Sequence, residues 1–338
     1  MMRLPPFDYL RARTVEDAVK HVADHGPHAA LVAGGTDLYP SMKRRQAEPK
    51  VLVGLQGIRE LRGIHGGART GMAIGAMTLL DDVATHRELG RHYAALAVSA
   101  GLVASPPLRR MGTIGGNICA DTRCSYFDQS LAWRTALGFC LKKGGDDCAV
   151  APAGARCWAV SSSDTAPALW ALGARVRLVG STGERTIPIA ALYRDDGLGH
   201  VAKEPGELLT DIRLPPADGW RSTYLKLRRR GSFDFPVLGV AVAVRMEGNV
   251  TREARIVLGA VASTPREATV AGQGLIGERL TPEVIARAAE AAAVIARPVE
   301  NTDFPPLYRK RMAGLFVRRA LREVAGLPEL DESAERVG

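Results

Sequence analysis

The segment "AALVAGGTDL", residues 29–38, joins a short apolar run to a glycine-rich turn. The apolar run is typical of a buried strand, and the two glycines allow the backbone to turn tightly at its end. Before it, "TVEDAVKHVADHG" (14–26) predicts a helix with Thr14 as its N-cap and a glycine at its end. After it, "KVLVGL" (50–55) predicts a second strand. The beginning of the chain therefore indicates a small β-α-β-like unit.

A second glycine-rich turn, "MGTIGGNIC", occupies residues 111–119 and also follows an apolar run. Glycines let backbone N–H groups approach a diphosphate closely, and Thr36, Thr113 and Asn117 add side-chain donors. Neither turn has the G-x-G-x-x-G pattern that opens a long helix, so a Rossmann site is not predicted. Two such turns in one region predict a cradle for a dinucleotide, with a pair of ordinary tight turns as the alternative.

Four of the five cysteines lie in one segment, residues 121–159. Their spacing, C-x15-C-x7-C-x8-C, lacks the C-x2-C pairs that are typical of zinc knuckles. Wide and unequal gaps suit a loop that wraps a larger object, and a [4Fe–4S] cubane takes four thiolates. The segment therefore favours a metal centre, with structural zinc or free cysteines as alternatives. Cys119, in the second glycine-rich turn, is predicted to pack rather than to bind metal.

The formal net charge is +9, and aromatic residues make up only 5% of the chain. Basic clusters at 42–45, 227–231 and 308–312 suit anionic ligands or an acidic partner, whereas nucleic acid is not predicted because aromatics do not interleave with them. The first residues lack a signal-peptide h-region, and no run of ~18 apolar residues predicts a membrane span. An odd number of clustered cysteines without a secretion signal favours the cytoplasm.

From about residue 218 the pattern changes to three strands followed by helices, which predicts a separate α+β domain with an antiparallel sheet. The prolines and glycine of "RLPPADG" (213–219) mark the boundary before it. The predicted strands span 222–230, 236–246 and 253–261, and the predicted helices span 281–297 and 305–325.

Four motifs, "LVAGGTDL", "IGAMTLLDDV", "MGTIGGNI" and "SDTAPALWALGA", resemble the FAD-binding subunits of molybdenum hydroxylases, the xanthine dehydrogenase and carbon monoxide dehydrogenase group. The resemblance implies an α+β chain whose first domain is a two-part FAD-binding domain of the PCMH (vanillyl-alcohol-oxidase-like) type. That domain would span 1–217, with a small lobe over 1–57 and a large lobe over 58–217. A three-stranded antiparallel sheet with helices, similar to the carbon monoxide dehydrogenase flavoprotein, would span 218–325, before a tail over 326–338.

In ordinary members of this group the second glycine turn runs almost directly into the "SD-x-APAL" motif. Here an insertion at about 122–162 intervenes and carries the four cysteines. The motifs "DTRC-x-YFDQS", "FCLKKGG", "RCWA" and "LYRDDG" resemble the β subunits of 4-hydroxybenzoyl-CoA reductases, in which the insertion holds a [4Fe–4S] cluster. Asp128 stands where that family has asparagine; it is expected to add negative charge near the cluster without touching a ligand.

The resemblance also implies which residues bind the cofactors. The cluster ligands would be Cys124, Cys140, Cys148 and Cys157. The FAD contacts would be Ala33, Gly34, Gly35, Thr36, Asp37, Gly112, Thr113, Ile114, Gly115, Gly116, Asn117, Ser125, Asp164 and Lys226. Two of these have simpler interpretations, because Asp164 is also well placed to cap the helix that follows it and Lys226 suits a solvated strand position.

The implied function is electron transfer, and no catalytic residue is predicted because no hydrolase motif occurs. Electrons would pass from reduced ferredoxin through the [4Fe–4S] cluster and FAD to a [2Fe–2S] small subunit and a molybdopterin-binding large subunit. These two partner chains are needed because the C-x4-C-x2-C spacing for [2Fe–2S] is missing. A dimer of such heterotrimers would follow. The alternatives are a related hydroxylase with outward electron flow, a flavin subunit with structural zinc, and a free-standing flavin oxidase.

Overall fold

The structure is a computed structural model that describes residues 3–329. Its first elements form a three-stranded parallel sheet in the order β1-β3-β2, with two helices. These elements are β1 (Asp8–Arg11), α1 (Val15–His25), β2 (Ala29–Val32), α2 (Leu38–Lys43) and β3 (Val51–Gly54). The β-α-β-like prediction is confirmed, with β1 as an additional strand. The side chains of β1 are mostly exposed, so its sequence lacks the apolar signal of a strand.

The helix predicted over 14–26 is α1. The Thr14 hydroxyl accepts a hydrogen bond from the Asp17 amide at 3.1 Å, and Gly26 ends the helix with a positive φ of 50°. The apolar face of α1 packs against β3, where Val51 and Val53 share its core. This packing holds the end of β2, and with it the first glycine turn, at the carboxyl edge of the sheet.

The middle of the chain builds a five-stranded antiparallel sheet in the order β4-β5-β8-β6-β7. Short helices cover it, and their buried residues form the largest core. The strands are β4 (Ile64–Gly67), β5 (Gly71–Gly75), β6 (Arg175–Gly180), β7 (Gly183–Pro188) and β8 (Leu208–Leu214). The helices of this core are α3 (Leu80–Thr85), α4 (Arg87–His92), α5 (Ala94–Gly101), α7 (Ile114–Ile118) and α9 (Thr165–Ala171), and two short helices that add no residue to it are α6 (Pro106–Arg109) and α8 (Leu131–Ala136).

The last part of the chain forms an antiparallel sheet in the order β12-β11-β10-β9 with three helices. Its elements are β9 (Trp220–Leu227), β10 (Leu238–Glu247), β11 (Val250–Gly259), β12 (Arg266–Glu267), α10 (Thr269–Gln273), α11 (Pro282–Ile295) and α12 (Pro306–Ala325). The α+β prediction is confirmed. The sheet nevertheless has four strands rather than the predicted three. The additional strand is β12, which was not predicted because it is only two residues long and carries no strand pattern.

This four-stranded sheet is buried on both faces. Val240, Val242 and Val244 of β10 pack with α11 and α12, whereas Ala241 and Ala243 pack into the core of the middle unit. Successive residues of a strand point to opposite faces, so β9 and β10 present one face directly to the middle unit. The predicted boundaries at residues 57 and 217 stay predictions, and the predicted tail from residue 330 onward lies outside the described residues. No helix between residues 3 and 329 is long and apolar enough to cross a membrane.

Candidate cofactor site

The two glycine-rich turns pack against each other, backbone to backbone. A Cβ added to Gly34 would overlap the carbonyl oxygen of Met111, and one added to Gly112 would lie 3.5 Å from Thr36 Oγ1. A side chain at Gly34 would therefore push the turns apart, whereas one at Gly112 would make only an ordinary contact with Thr36. The first turn follows β2, and the second begins after α6 and includes α7, so two distant parts of the chain build one surface.

The first turn leaves backbone donors unused. Within the described part of the chain, the N–H groups of residues 34–37 donate no hydrogen bond to a protein acceptor. Gly35 has a φ of 70°, which favours glycine at this position. Consecutive free N–H groups in a glycine-rich turn are suited to phosphate oxygens. The turn thus fits the diphosphate of a dinucleotide.

The second turn is fixed by its own side chains. Thr113 caps α7 by accepting a hydrogen bond from the Gly116 amide at 3.1 Å, while Ile114 is buried in the central core. The Asn117 side-chain oxygen accepts hydrogen bonds from the Ser163 hydroxyl at 2.8 Å and the Thr165 hydroxyl at 2.7 Å. These bonds attach the second turn to the beginning of α9. The backbone of Gly115 also bonds inside the protein, to the carbonyl oxygen of Ala76.

Asp164 and Lys226 form a buried ion pair next to this turn. Lys226 Nζ donates to Asp164 Oδ2 at 2.8 Å, and the two side chains are only 1% and 3% exposed. Tyr224 donates to the other carboxylate oxygen at 2.9 Å. Both simpler interpretations are wrong, because the hydroxyl of Ser163, not Asp164, caps α9 through the Ala166 amide, and Lys226 is not solvated.

Burial raises the pKa of Asp164, and the ammonium of Lys226 and the hydroxyl of Tyr224 oppose that rise. Burial likewise lowers the pKa of Lys226, and the Asp164 carboxylate opposes that change. Each charge therefore depends on the other to remain ionised in the protein interior. The pair joins β9 to the segment before α9 and so places the C-terminal sheet against the second turn.

The cysteine segment is a loop that is closed at its base. Arg123 and Val160 form an isolated antiparallel bridge, with backbone hydrogen bonds of 2.8 and 2.7 Å in the two directions. Residues 124–159 project from this base and contain α8 and a 3-10 turn at Leu141–Lys143. Phe127 packs with two of the cysteines in a small core of its own.

The four predicted metal ligands converge inside this loop. Cys124, Cys140, Cys148 and Cys157 all line one cavity, which they share with Tyr126, Phe127, Leu141, Lys142, Ala149, Val150 and Ala159. The cavity is small, about 10 Å³, so these side chains would have to move apart to enclose a cluster. Within residues 3–329 no three His, Cys, Asp or Glu side chains stand close enough to hold a metal ion as they are. Four thiols around one space are nevertheless the donor set of a cubane.

Cys119 lies apart from this cavity, between Tyr193 and Lys203, where burial raises the pKa of its thiol to about 11. It is not among the lining residues, which agrees with the prediction that it packs rather than ligates. Burial also raises the pKa of Cys124, again to about 11. Binding a metal at Cys124 would therefore require the metal to displace a firmly held proton.

Two buried cations lie in this loop, and one of them lines the cavity. Lys142 lines it with a side chain that is only 5% exposed, and its ammonium donates to Asp121 at 2.8 Å and to the Thr122 hydroxyl at 3.0 Å. Arg134 is also buried, and its positive charge acts on Cys140. Four thiolates bring negative charge into the protein interior, and nearby cations make that less costly.

The "LYRDDG" motif contacts the last cysteine. The Cys157 amide donates to Asp196 Oδ1 at 3.2 Å, and the Gly197 amide donates to the Cys157 carbonyl at 2.9 Å. A Cβ on Gly197 would approach Cys157 Sγ to 2.8 Å, so only glycine fits here. This contact explains why a motif some forty residues after the cysteine accompanies the insertion.

One expectation about Asp128 is wrong. Its Oδ2 accepts a hydrogen bond from the Cys124 amide at 3.3 Å, so it does touch a predicted ligand residue. Its charge is offset by Arg44 and Arg123, each 3.6 Å from Oδ1. Asp128 therefore fixes the backbone at the first cysteine in addition to contributing a charge.

Two further expectations concern single residues. Ser125 is exposed; its amide donates to the Asn301 carbonyl at 2.9 Å, and no hydrogen bond of the described residues joins it to either glycine turn.

Arg309, in the basic cluster proposed for docking, is fully buried and donates to the carbonyls of Val237 and Val299 at 3.0 Å. Arg309 therefore belongs to the core and not to a docking surface.

Comparisons with known proteins identify the families that match the two parts of the chain. Residues 5–217 match the family described as FAD binding domain in molybdopterin dehydrogenase, and residues 222–324 match the CO dehydrogenase flavoprotein C-terminal domain. The two matches cover the glycine turns and the C-terminal sheet respectively. The first match alone spans more than half of the chain.

Individual relatives are similar along nearly the whole length. The carbon monoxide dehydrogenase medium chain of Afipia carboxidovorans is 34% identical over 316 residues, 93% of this chain and 95% of that one. The aldehyde oxidoreductase FAD-binding subunit of Escherichia coli is 33% identical and covers 77% of this chain and 82% of its own. A solved carbon monoxide dehydrogenase of Hydrogenophaga pseudoflava aligns with a TM-score of 0.80 at 30% identity, covering 96% of this chain and 99% of that one. The chain therefore belongs to the FAD-binding subunits of the molybdenum hydroxylase family.

Proposed function

We propose that this chain is the electron-transfer flavoprotein subunit of a complex similar to 4-hydroxybenzoyl-CoA reductase, with a [4Fe–4S] cluster in its cysteine insertion. The observation that carries the proposal is the convergence of Cys124, Cys140, Cys148 and Cys157 on one cavity. These cysteines are separated by 15, 7 and 8 residues within one loop with a closed base, and all four are free thiols.

FAD would lie across the two glycine turns. The free N–H groups of residues 34–37 would hold the diphosphate, and residues 112–117 would line the opposite side. Asp164 and Lys226 would support the second turn from beneath, since their ion pair fixes β9 against the start of α9. Flavin exchanges one or two electrons and a cubane exchanges one, so together they join a single-electron carrier to a two-electron reaction.

Within the insertion, the chain's own residues would position and balance the cluster. Asp128 and Asp196 accept hydrogen bonds from the amides of Cys124 and Cys157, which fixes the backbone at the first and last ligands. Lys142 and Arg134 supply positive charge inside the loop. The apolar side chains of the cavity would exclude water from the thiolates.

The complex would contain a molybdopterin-binding large subunit and a [2Fe–2S] small subunit, assembled as a dimer of heterotrimers in the cytoplasm. The relatives support a multisubunit assembly, because two of them are named as medium chains of carbon monoxide dehydrogenases. Reduced ferredoxin would deliver electrons to the cluster, and the molybdenum subunit would remove the phenolic hydroxyl of an aryl-CoA substrate.

A second candidate is an oxidising hydroxylase, in which electrons leave through the same two cofactors. The relatives favour it, since their names describe a carbon monoxide dehydrogenase, an aldehyde oxidoreductase and a xanthine dehydrogenase. Supplying the purified complex with reduced ferredoxin and 4-hydroxybenzoyl-CoA separates the two. Formation of benzoyl-CoA supports the reductive function, whereas reduction of the flavin by an oxidisable substrate alone supports the second.

The cluster is tested by measuring iron, zinc and flavin in the anaerobically purified chain, with EPR after dithionite reduction. We expect about four irons per FAD and a reduced-cluster signal that is lost in Cys140→Ser. The matched control is Cys119→Ser, which removes a half-buried thiol outside the cavity and should keep both iron and signal. Zinc without iron would refute the cluster and leave a flavin subunit with a structural metal.

A further inference from the structure

The cysteine insertion holds the first glycine turn through one arginine. Arg123, the residue before the first cysteine, forms an ion pair with the carboxylate of Asp37, the last residue of that turn. The Arg123 side chain is only 11% exposed, and its guanidinium carbon lies 4.4 Å from the ring centre of Phe235. On its other side it faces Asp128 at 3.6 Å. The guanidinium therefore stands between the two cofactor regions.

Other contacts join the insertion to the far end of α2. Gln46 Nε2 donates to the Phe127 carbonyl at 2.8 Å and to Asp128 Oδ1 at 3.0 Å. Lys143 Nζ donates to the Gln46 carbonyl at 2.9 Å. Because α2 begins at the glycine turn, the insertion holds this short helix at both of its ends.

We propose that Arg123 is a positioning residue that couples metal occupancy of the cysteine cavity to FAD binding at the first glycine turn. The inference rests on the proposed function, since it takes the cavity as the metal site and residues 33–37 as part of the FAD site. Arg123 lies within the matched residues 5–217, but it is not among the predicted ligands of the cluster or of FAD.

The coupling follows from how the groups are connected. A metal bound to Cys124 would restrain the backbone at that residue, and Arg123 precedes it on a bridge already paired with Val160. The guanidinium has little solvent around it, and its Nε has no hydrogen-bond partner. If this backbone moves, solvent cannot replace the contacts of the guanidinium, so Asp37 has to move with it. Asp37 lies beside the free N–H groups of the turn. An ordered insertion therefore favours the turn geometry that FAD requires.

The test is a thermodynamic cycle on the full-length chain. FAD dissociation constants are measured by flavin fluorescence for metal-loaded and chelator-treated protein, in the natural sequence and in Arg123→Met. We expect metal removal to weaken FAD binding by ~10-fold in the natural sequence, a usual size for coupling between two sites. In R123M, FAD binding should be weak and insensitive to metal removal.

Asp37→Asn provides a second variant that cuts the same link without touching the insertion, and it should also abolish the dependence on metal. The matched control is Arg110→Met, because Arg110 lies beside the other glycine turn and pairs with Asp81 at 3.4 Å but does not contact the insertion. R110M should keep the full metal dependence. Amide hydrogen exchange of residues 34–43 gives an independent measurement, and metal removal should speed it in the natural sequence only.

An unchanged metal dependence in R123M and D37N would overturn the proposal, as would a natural-sequence chain whose FAD affinity ignores the metal. Failure of the proposed function has a different signature, since iron and zinc analysis of the same samples reports which metal is bound. If the chain takes zinc alone, the cycle is run with zinc-loaded protein, and the link is tested although the cluster is refuted.

Discussion

The buried pair of Lys226 and Asp164 gives a sharp prediction about stability. The perturbations are Lys226→Met, Asp164→Asn and the two together, each close in size to the natural residue. Lys226 donates to Asp164 at 2.8 Å and to the Leu102 carbonyl at 3.0 Å, and Asp164 also accepts from Tyr224. Since both side chains are almost fully buried, neither charge can be solvated once its partner is removed.

The size of each effect follows from these contacts. K226M leaves a buried carboxylate with one neutral donor, the Tyr224 hydroxyl, and leaves the Leu102 carbonyl without its donor. Breaking a buried pair in this way costs about 3–5 kcal/mol in the free energy of unfolding. D164N removes the counter-charge and leaves the buried ammonium with neutral acceptors only, the Leu102 carbonyl and the asparagine side-chain oxygen, at a similar cost. The double variant has no charge at either position. Its free energy of unfolding should therefore fall only by the value of the lost hydrogen bonds, about 1–3 kcal/mol.

The assay is urea unfolding of the FAD-free protein, followed by circular dichroism, with the midpoints converted at a common m-value. We expect the double variant to be more stable than either single variant, so that the coupling free energy is at least about 3 kcal/mol. Single effects that add to within ~0.5 kcal/mol would show that the two charges are independent. That result would refute the claim that each depends on the other.

Two further predictions concern backbone packing and the buried arginine. Gly34→Ala should lower the free energy of unfolding by about 1–3 kcal/mol and reduce bound flavin absorbance, because its Cβ would overlap Met111. The control Gly67→Ala has open space around its Cβ and should change neither quantity. Arg309→Met should lower the free energy of unfolding by about 3 kcal/mol, because it leaves the carbonyls of Val237 and Ala260 without a donor, whereas the Val299 carbonyl keeps the Asn301 amide. The exposed Lys310→Met should stay within ~0.5 kcal/mol. An Arg309→Met chain with an unchanged urea midpoint would contradict this account.

Sequence alone was sufficient where the signal is local. The Thr14 cap and the terminal Gly26 gave the bounds of α1, and the strand predicted at 175–180 is β6. The glycine turns were recognisable because glycine at a close backbone approach has few substitutes, as the overlap at Gly34 shows. The four cysteines were recognisable by their wide spacing, although spacing could not show that they share one cavity.

What the sequence did not reveal depends on contacts between distant residues. The pairing of Arg123 with Asp37 spans 86 positions, and neither residue stands out from its neighbours. Asp164 sits where a helix cap is expected, yet Lys226, 62 positions away, takes its carboxylate and leaves the cap to Ser163. Similarly, Asp128 was expected to act only through its charge, whereas the fold gives it the amide of Cys124.

The two-residue bridge between Arg123 and Val160 also has a consequence for the history and engineering of such chains. The flanking backbone already closes the base of the loop. Residues 124–159 therefore have little effect on the positions of residues 123 and 160, which the rest of the fold must join. The entropy of closing such a loop grows only slowly with its length. A loop of this length can therefore be added to, or removed from, this flavoprotein scaffold between residues 123 and 160, leaving the sheets on either side with the same strands to pair.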